Sequence, residues 1–207
     1  MNVQFKLLDF HIYNEANEDE SSGGEEVENG GFKFTPDHKH FVIQMYGINE
    51  KGTSYSVFVP DFEPFFYISV PDKWKKIDVT RFERHLKEKI GKYYEGSLTN
   101  VKLVKKEKLY GFDNGKKYNF LYLSFKNVMV MNKVKNMFYD YIEDPTSNWG
   151  KRRVLKKYEY KDAEMELFEA NIPPLLRYFH IRNISPSGWV SIKKTSLRRN
   201  RVKRTNC

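Results

Sequence analysis

Pro173 and Pro174 stand side by side inside the densest apolar and aromatic passage of the chain, Leu167 to Ile192 (LFEANIPPLLRYFHIRNISPSGWVSI). Proline lacks a backbone N–H and pushes the residue before it away from helical geometry, so no helix can run through the pair. Glu164 to Ala170 therefore reads as the end of one short helix. Leu175, Leu176, Phe179 and His180 fall on one face of a second. Ser185-Pro186-Ser187-Gly188 is a turn that Gly188 closes, and Trp189-Val190-Ser191-Ile192 reads as a strand.

With 207 residues the chain can bury a sizeable core, as one domain or two small ones, and an aromatic fraction of 16% argues for packed structure rather than disorder. No apolar run approaches the roughly 20 residues of a membrane-spanning helix. The opening MNVQFKLLDFHIYNE lacks the basic start and apolar core of a signal peptide. Cys207 is the one cysteine, which rules out a disulfide framework and a cysteine-based metal site and makes an intracellular, reducing compartment the expectation. The net charge is +9, yet Asn14 to Gly31 holds seven acids and no base. Setting those seven aside from the 27 acids leaves 36 bases against 20 acids in the remainder. That balance favours a polyanionic partner through steering and counterion release.

Taken in order, Val3 to Tyr13 reads as a first strand and Asn14 to Gly31 as an acidic surface loop. His40 to Ile48 and Thr53 to Pro60 read as a hairpin around Asn49-Glu50-Lys51-Gly52. With Trp189 to Ile192 returning beside the first strand, these would make an OB-like antiparallel part over residues 1–60 and 184–192. Phe65 to Val70 reads as a strand. Val79 to Tyr93 reads as a helix, with Val79, Phe82, Leu86 and Ile90 on one face and Asp78 or Thr80 as its cap. Val101 to Leu109 and Tyr118 to Phe125 are strands around the turn Gly111 to Gly115. Val128 to Ile142 is a second helix, with Val130, Val134, Met137, Phe138 and Tyr141 at helical spacing, and Val154 to Tyr158 a fourth strand. The fold class expected is α+β: the OB-like part plus a ferredoxin- or RRM-like βαββαβ part over residues 61–160. Residues 161–192 would form a helical connector and strand, and 193–207 a basic tail or linker.

The passage Phe168, Glu169, Asn171, Ile172, Leu176, Arg177, Tyr178, Ile184 and Trp189 resembles the segment that precedes the proofreading exonuclease in B-family DNA polymerases. The likeness is to the delta-type enzymes of eukaryotes and large DNA viruses. Phe168, Ala170 and Tyr178 depart from the tyrosine, serine and phenylalanine usual there. Tyr46 to Pro71 and Leu109 to Asn127 are similar to earlier hairpins of the same family, so the resemblance covers nearly the whole chain in order. It implies an N-terminal scaffold facing the template strand, with no catalytic residue of its own. Its partners would be template and primer DNA, downstream exonuclease and polymerase domains, and a sliding-clamp-type factor. For the full enzyme it implies nucleotidyl transfer and 3′→5′ proofreading with carboxylate-held Mg²⁺, in a nucleus or viral replication compartment. Two other readings stay open on the residues: a stand-alone single-strand-binding module, and a replication-partner docking protein using the acidic loop.

The short motifs each have a plainer explanation. Asp61-Phe62-Glu63 has the spacing of paired metal-holding carboxylates but lies between Pro60 and Pro64, in a turn rather than an apolar strand. Asp162-Ala163-Glu164 reads as the opening of a helix. Tyr110 to Gly115 offers one carboxylate and ordinary Asn-Gly turn chemistry. Of the five histidines only His38 and His40 are close in sequence, and they lack further ligands, so no metal site is expected. Lys116 to Phe125 (KKYNFLYLSF) resembles in part the RRM strand pattern. In a strand Tyr118, Phe120 and Tyr122 share one face, which Phe65 and Tyr67 could join. Exposed, such rings stack on unpaired bases; buried, they are core or interface. Lys193, Lys194, Arg198, Arg199 and Arg201 belong to a run without acids that could contact phosphates or be a solvated linker.

Overall fold

The computed structural model describes residues 2–15, 39–108 and 114–193. These fall into two compact units: 2–13, 42–62 and 175–193 form one, and 14–15, 39–41 and 63–174 the other.

The first unit is built on a four-stranded sheet of β1 (Asn2–Glu15), β2 (His40–Ile48), β3 (Ser54–Val59) and β12 (Trp189–Lys193), in the order β12-β1-β2-β3. Strand β12 lies antiparallel on β1, Asn2 opposite Lys193 and Lys6 opposite Trp189. The β2–β3 hairpin turns where Asn49 accepts from the backbone N–H groups of Lys51 and Thr53 through its side chain, and Gly52 takes a φ of 78°. Alternation along β1 buries Phe5 and Leu7, and Val42, Ile43 and Met45 of β2 are buried as well. Helix α3 (Pro174–Arg182) starts at the second proline, as position N1 of a helix permits. Its buried face is Leu175, Arg177, Tyr178 and Phe179, while Leu176 and His180 are exposed, which corrects the face read from sequence. Aromatic packing decides the rotation: Phe179 meets Phe10 edge-on at 5.4 Å and Tyr178 meets Phe62 at 5.3 Å. Burial pushes the Tyr178 phenol pKa up.

In the second unit β4 (Phe65–Ser69), β5 (Leu98–Glu107), β6 (Lys117–Phe125) and β11 (Leu167–Phe168) form an antiparallel sheet in the order β11-β4-β6-β5. Helices α1 (Lys76–Ile90) and α2 (Val128–Asn136) supply the rest of the core. Val79, Phe82, Leu86 and Ile90, the expected face, gather with Val130, Met131, Val134 and Phe138 against Phe66, Ile68, Leu121, Leu123 and Phe125. Each buried aromatic or aliphatic side chain here contributes about 1.5–3 kcal/mol.

Several boundaries differ from the sequence reading. Helix α1 begins earlier. Lys75 is its N-cap and Asp78 sits three residues in, accepting from the Lys75 N–H at 2.9 Å, while Thr80 bonds back to the Lys76 carbonyl. Neither expected cap residue holds that position. Gly91, at φ 85°, ends the helix, and a 3₁₀ turn over Lys92–Ser97 follows. Helix α2 is capped by Asn127, whose side chain accepts from Val130 N–H. It stops at Asn136 rather than running to Ile142. Met137 and Phe138 tighten onto Val134 and Lys135, and Tyr139–Glu143 becomes β7, paired with β8 (Lys151–Leu155). The β-branched and aromatic residues there prefer a pleated ribbon over helix. Residues 154–158 are not the fourth strand: β8 ends at Leu155, and Tyr158–Tyr160 is β9, paired with β10 (Ala163–Met165). Asp162-Ala163-Glu164 and the residues up to Ala170 are therefore strand and turn, not helix, and β11 takes the outer place beside β4.

Two stability predictions follow from these cores. A β-carbon on Gly47 would lie 2.2 Å from the Phe5 ring and 2.5 Å from the Lys6 carbonyl oxygen. Gly47→Ala should cost about 1–3 kcal/mol or more, seen as a lower urea midpoint with an unchanged slope. In the second unit His85 meets the Tyr158 hydroxyl at 2.7 Å and the Tyr160 ring at 4.7 Å. Burial first, then nearby Lys89, lowers its pKa below the usual 6.5. The unfolded chain thus holds that proton more tightly. Stability from this site is complete above the ordinary value and declines as pH falls through 6.5 toward the lowered one. His85→Gln should flatten the loss of urea midpoint measured between about pH 7.5 and about pH 5.5.

Candidate nucleic-acid interface

Alternation along β6 turns Leu121, Leu123 and Phe125 to the helices and Tyr118, Phe120 and Tyr122 to the opposite face. Phe65 and Tyr67 of β4 join that face: Tyr122 lies 4.9 Å from Phe65 and 5.7 Å from Tyr67, ring to ring. Phe120 is 4% exposed and meets Phe168 edge-on at 5.1 Å, so it supports the face from below, whereas Tyr118 and Tyr122 are half-buried. Register brings lysines onto the same surface, with Lys102 opposite Tyr122 and Lys106 opposite Tyr118. The Lys106 ammonium sits 3.8 Å from the Tyr67 ring centre and 3.3 Å from a Glu169 carboxylate oxygen. Lys108 and Lys116 lie 4.6 and 5.1 Å from the Tyr118 ring. Rings and ammonium groups interleave here, the combination that takes bases by stacking and phosphates by charge.

The lysines and Phe168 escaped sequence reading, because their place depends on the β5–β6 register and on β11. Equal parity of Lys102 and Lys106 in a strand was the available signal. The basic run is reached only at its start. Lys193 ends β12, and Lys194, Arg198, Arg199 and Arg201 lie outside the described residues, as do most of the acidic segment, His38 and the Leu109–Asp113 part of the second turn.

No protein-family model matches the chain. Over 98% of its length it is 45% identical to a DNA polymerase of Phaeocystis pouchetii virus, of which it covers 19%. It is 31% identical, over 92% of its length, to a DNA polymerase of Pyramimonas orientalis virus, of which it covers 13%. A DNA polymerase delta catalytic subunit of Plasmodium falciparum is 25% identical over 80% of the chain, which covers 14% of that protein. The chain is homologous to the N-terminal part of family B DNA polymerases. Its fold is similar to that of the family B DNA polymerase from the archaeon Pyrobaculum calidifontis, with a TM-score of 0.52 over 90% of this chain and 17% of that one at 15% identity. The family expected from the Phe168–Trp189 passage is thereby shown. The chain spans about a fifth or less of the length of these viral and delta-type relatives.

The Mg²⁺ ions that the family implies find no fitting donor set among the described residues. Glu63 is half-buried, and one of its carboxylate oxygens accepts from Ser124 Oγ at 2.6 Å, Thr99 Oγ1 at 2.7 Å and Asn100 Nδ2 at 3.3 Å. Asp61 is an exposed loop residue, and Glu164 pairs with Lys157 at 2.8 Å. No group of three or more possible ligands gathers among the described residues. Glu63 ties the residues before β4 to the ends of β5 and β6. Glu63→Ala would leave the buried Ser124 without that acceptor and should lower stability by about 1–3 kcal/mol, while Glu63→Gln should lose less; thermal melts of the two variants decide it.

Proposed function

We propose that the chain is the N-terminal scaffold of a DNA-directed DNA polymerase, on the template side, and takes no chemical part itself. The observation that carries this reading is the 45% identity to a viral DNA polymerase over 98% of the chain. The full enzyme would perform nucleotidyl transfer with 3′→5′ proofreading, its Mg²⁺ held by carboxylates outside these residues. Its partners would be template and primer DNA, the exonuclease and polymerase domains that follow, and a sliding-clamp-type factor, in a nucleus or viral replication compartment.

The strand order β11-β4-β6-β5 with two helices against one face supports describing the second unit as RRM-like. The four-stranded sheet of the first unit supports the OB-like description of residues 1–60 and 184–192. In this reading 61–160 is the RRM-like part, 161–192 the connector and 193–207 a basic tail. Tyr118 and Tyr122, on the same strand face as the buried Phe120, would meet unpaired bases, and Lys193, Lys194, Arg198, Arg199 and Arg201 would meet phosphates. The interleaved rings and lysines also favour a second reading, a stand-alone binder of single-stranded nucleic acid.

One comparison separates the two. The 207-residue chain and a chain extended through the sequence encoded after it are assayed for primer extension and 3′-end removal with Mg²⁺, and for binding to single-stranded DNA. The scaffold reading expects both activities in the extended chain alone, and weak binding by the short one. Activity in the short chain, or an extension without either activity, overturns it. Tight binding by the short chain that Tyr118→Ala or Tyr122→Ala weakens about 5-fold or more establishes the second reading.

A further inference from the structure

Of the β7–β8 ribbon Tyr139 alone is among the side chains packed against the second unit's core, yet the tip of the ribbon is ordered by its own hydrogen bonds. Asp144 Oδ1 accepts from the Thr146 N–H at 3.0 Å and from the Thr146 hydroxyl at 2.6 Å. The Asp144 N–H donates to the Gly150 carbonyl at 3.0 Å, and Gly150 adopts a φ of 66°. At the base Arg153 stacks 3.6 Å from the Tyr139 ring and donates to Asn136 Oδ1 at 2.6 Å. Isolated two-stranded ribbons are marginal in water, so these ties matter. What they hold outward is Trp149, 90% exposed, and Tyr141, 67% exposed.

Single exposed apolar residues are ordinary on protein surfaces. This ribbon differs in what surrounds the rings. Tyr141 faces Arg153 across the strands, Glu143 faces Lys151, and Arg152 follows on the opposite side. Asp144 and Asp140 pair with Arg152 and Lys156, at 3.7 and 3.0 Å, and Lys151 has no ion pair among the described residues. A protein-docking surface gathers apolar side chains at its centre and depletes charge there. Here Tyr141 stands opposite Arg153, and Trp149 precedes Lys151 by two residues, so rings and cations adjoin on one narrow ribbon that also carries Glu143 opposite Lys151, and such neighbours suit a single strand with stackable bases and spaced phosphates.

We propose that the β7–β8 ribbon is a second nucleic-acid contact, a short arm on which Trp149 and Tyr141 stack unpaired bases while Lys151 and Arg153 meet the flanking phosphates. The choice of DNA as the ligand rests on the polymerase reading; the stacking chemistry does not. The test uses the 207-residue chain and a dye-labelled thymidine oligonucleotide at low salt, with Kd read from the anisotropy of the label and quenching read from the tryptophans, of which Trp74 is buried and Trp149 and Trp189 are exposed. Saturable quenching is expected. Trp149→Ala should raise Kd about 5-fold or more, Trp149→Phe should restore most of the affinity, and Lys151→Ala should lower the slope of log K against log salt by about 0.7. Circular dichroism should be unchanged in all three, because the substituted side chains are exposed. Absence of saturable quenching, equal affinity for duplex, or an unchanged Kd in Trp149→Ala overturns the arm. If Tyr118→Ala weakens binding while Trp149→Ala is silent, the arm fails and the sheet-face reading survives. If Trp149→Ala weakens it and Tyr118→Ala does not, the reverse holds.

Discussion

The pairing of Asn2–Lys6 with Trp189–Lys193 joins the two ends of the described chain, and the first unit depends on it. Without β12, β1 would be an open edge, and the side chains that alternate inward from it would lose a neighbour. Closing so long a loop costs entropy, though each doubling of length adds only about 0.6 kcal/mol. The second unit shortens the problem. Its chain enters on β4 and leaves on β11, neighbouring strands that run antiparallel with Phe168 opposite Tyr67. Once residues 63–174 fold, the chain returns to the end of the sheet where it entered, and the remaining closure for β12 is far shorter than the sequence separation suggests.

Legibility of the fold from sequence followed the strength of local signals. The β2–β3 hairpin was readable to within a residue, because Asn49 and Gly52 supply the turn's side-chain acceptor and its positive φ. The buried face of α1 was readable because Val79, Phe82, Leu86 and Ile90 leave little choice of period. Residues 137–170 were not readable. Periodicity carries a helix smoothly from Val130 to Tyr141, and only the ribbon partner Lys151–Leu155 shows that it stops. The same stretch then spends its apolar residues in short paired segments, β9 to β11, whose identity is set by tertiary pairing and not by propensity. On α3 the i, i+1, i+4, i+5 spacing put Leu176 and His180 on one face with Leu175 and Phe179, but ring packing by Tyr178 and Phe179 turns Leu176 and His180 outward.

The candidate sheet face was half legible for the same reason. Strand parity alone places Tyr118, Phe120 and Tyr122 together, but it cannot say that Phe168 closes over Phe120 or that Lys106 lies on Tyr67. Both facts join residues far apart in sequence. Carboxylates show the complementary lesson. The spacing of Asp61 and Glu63 matches paired metal ligands, yet Glu63 is bound by three side-chain donors and acts as a tie between strand ends.

The lysines of β5 also answer a question that an aromatic sheet face raises. Strand β5 is the outer strand of its sheet, opposite β11, and a flat outer strand rich in apolar groups invites pairing with a second copy. Lys102 and Lys105 stand exposed along it, and charge on an outer strand disfavours such pairing. Lys106 is shared between the Tyr67 ring and Glu169, which keeps the ring covered by a cation and not by another protein's apolar surface. On the proposed function a polyanion would change that balance, since its phosphates would compete with Glu169 for the ammonium and leave the ring to a base. The arrangement that protects the face from self-association is thus the one that, on that proposal, would suit it to a nucleic acid.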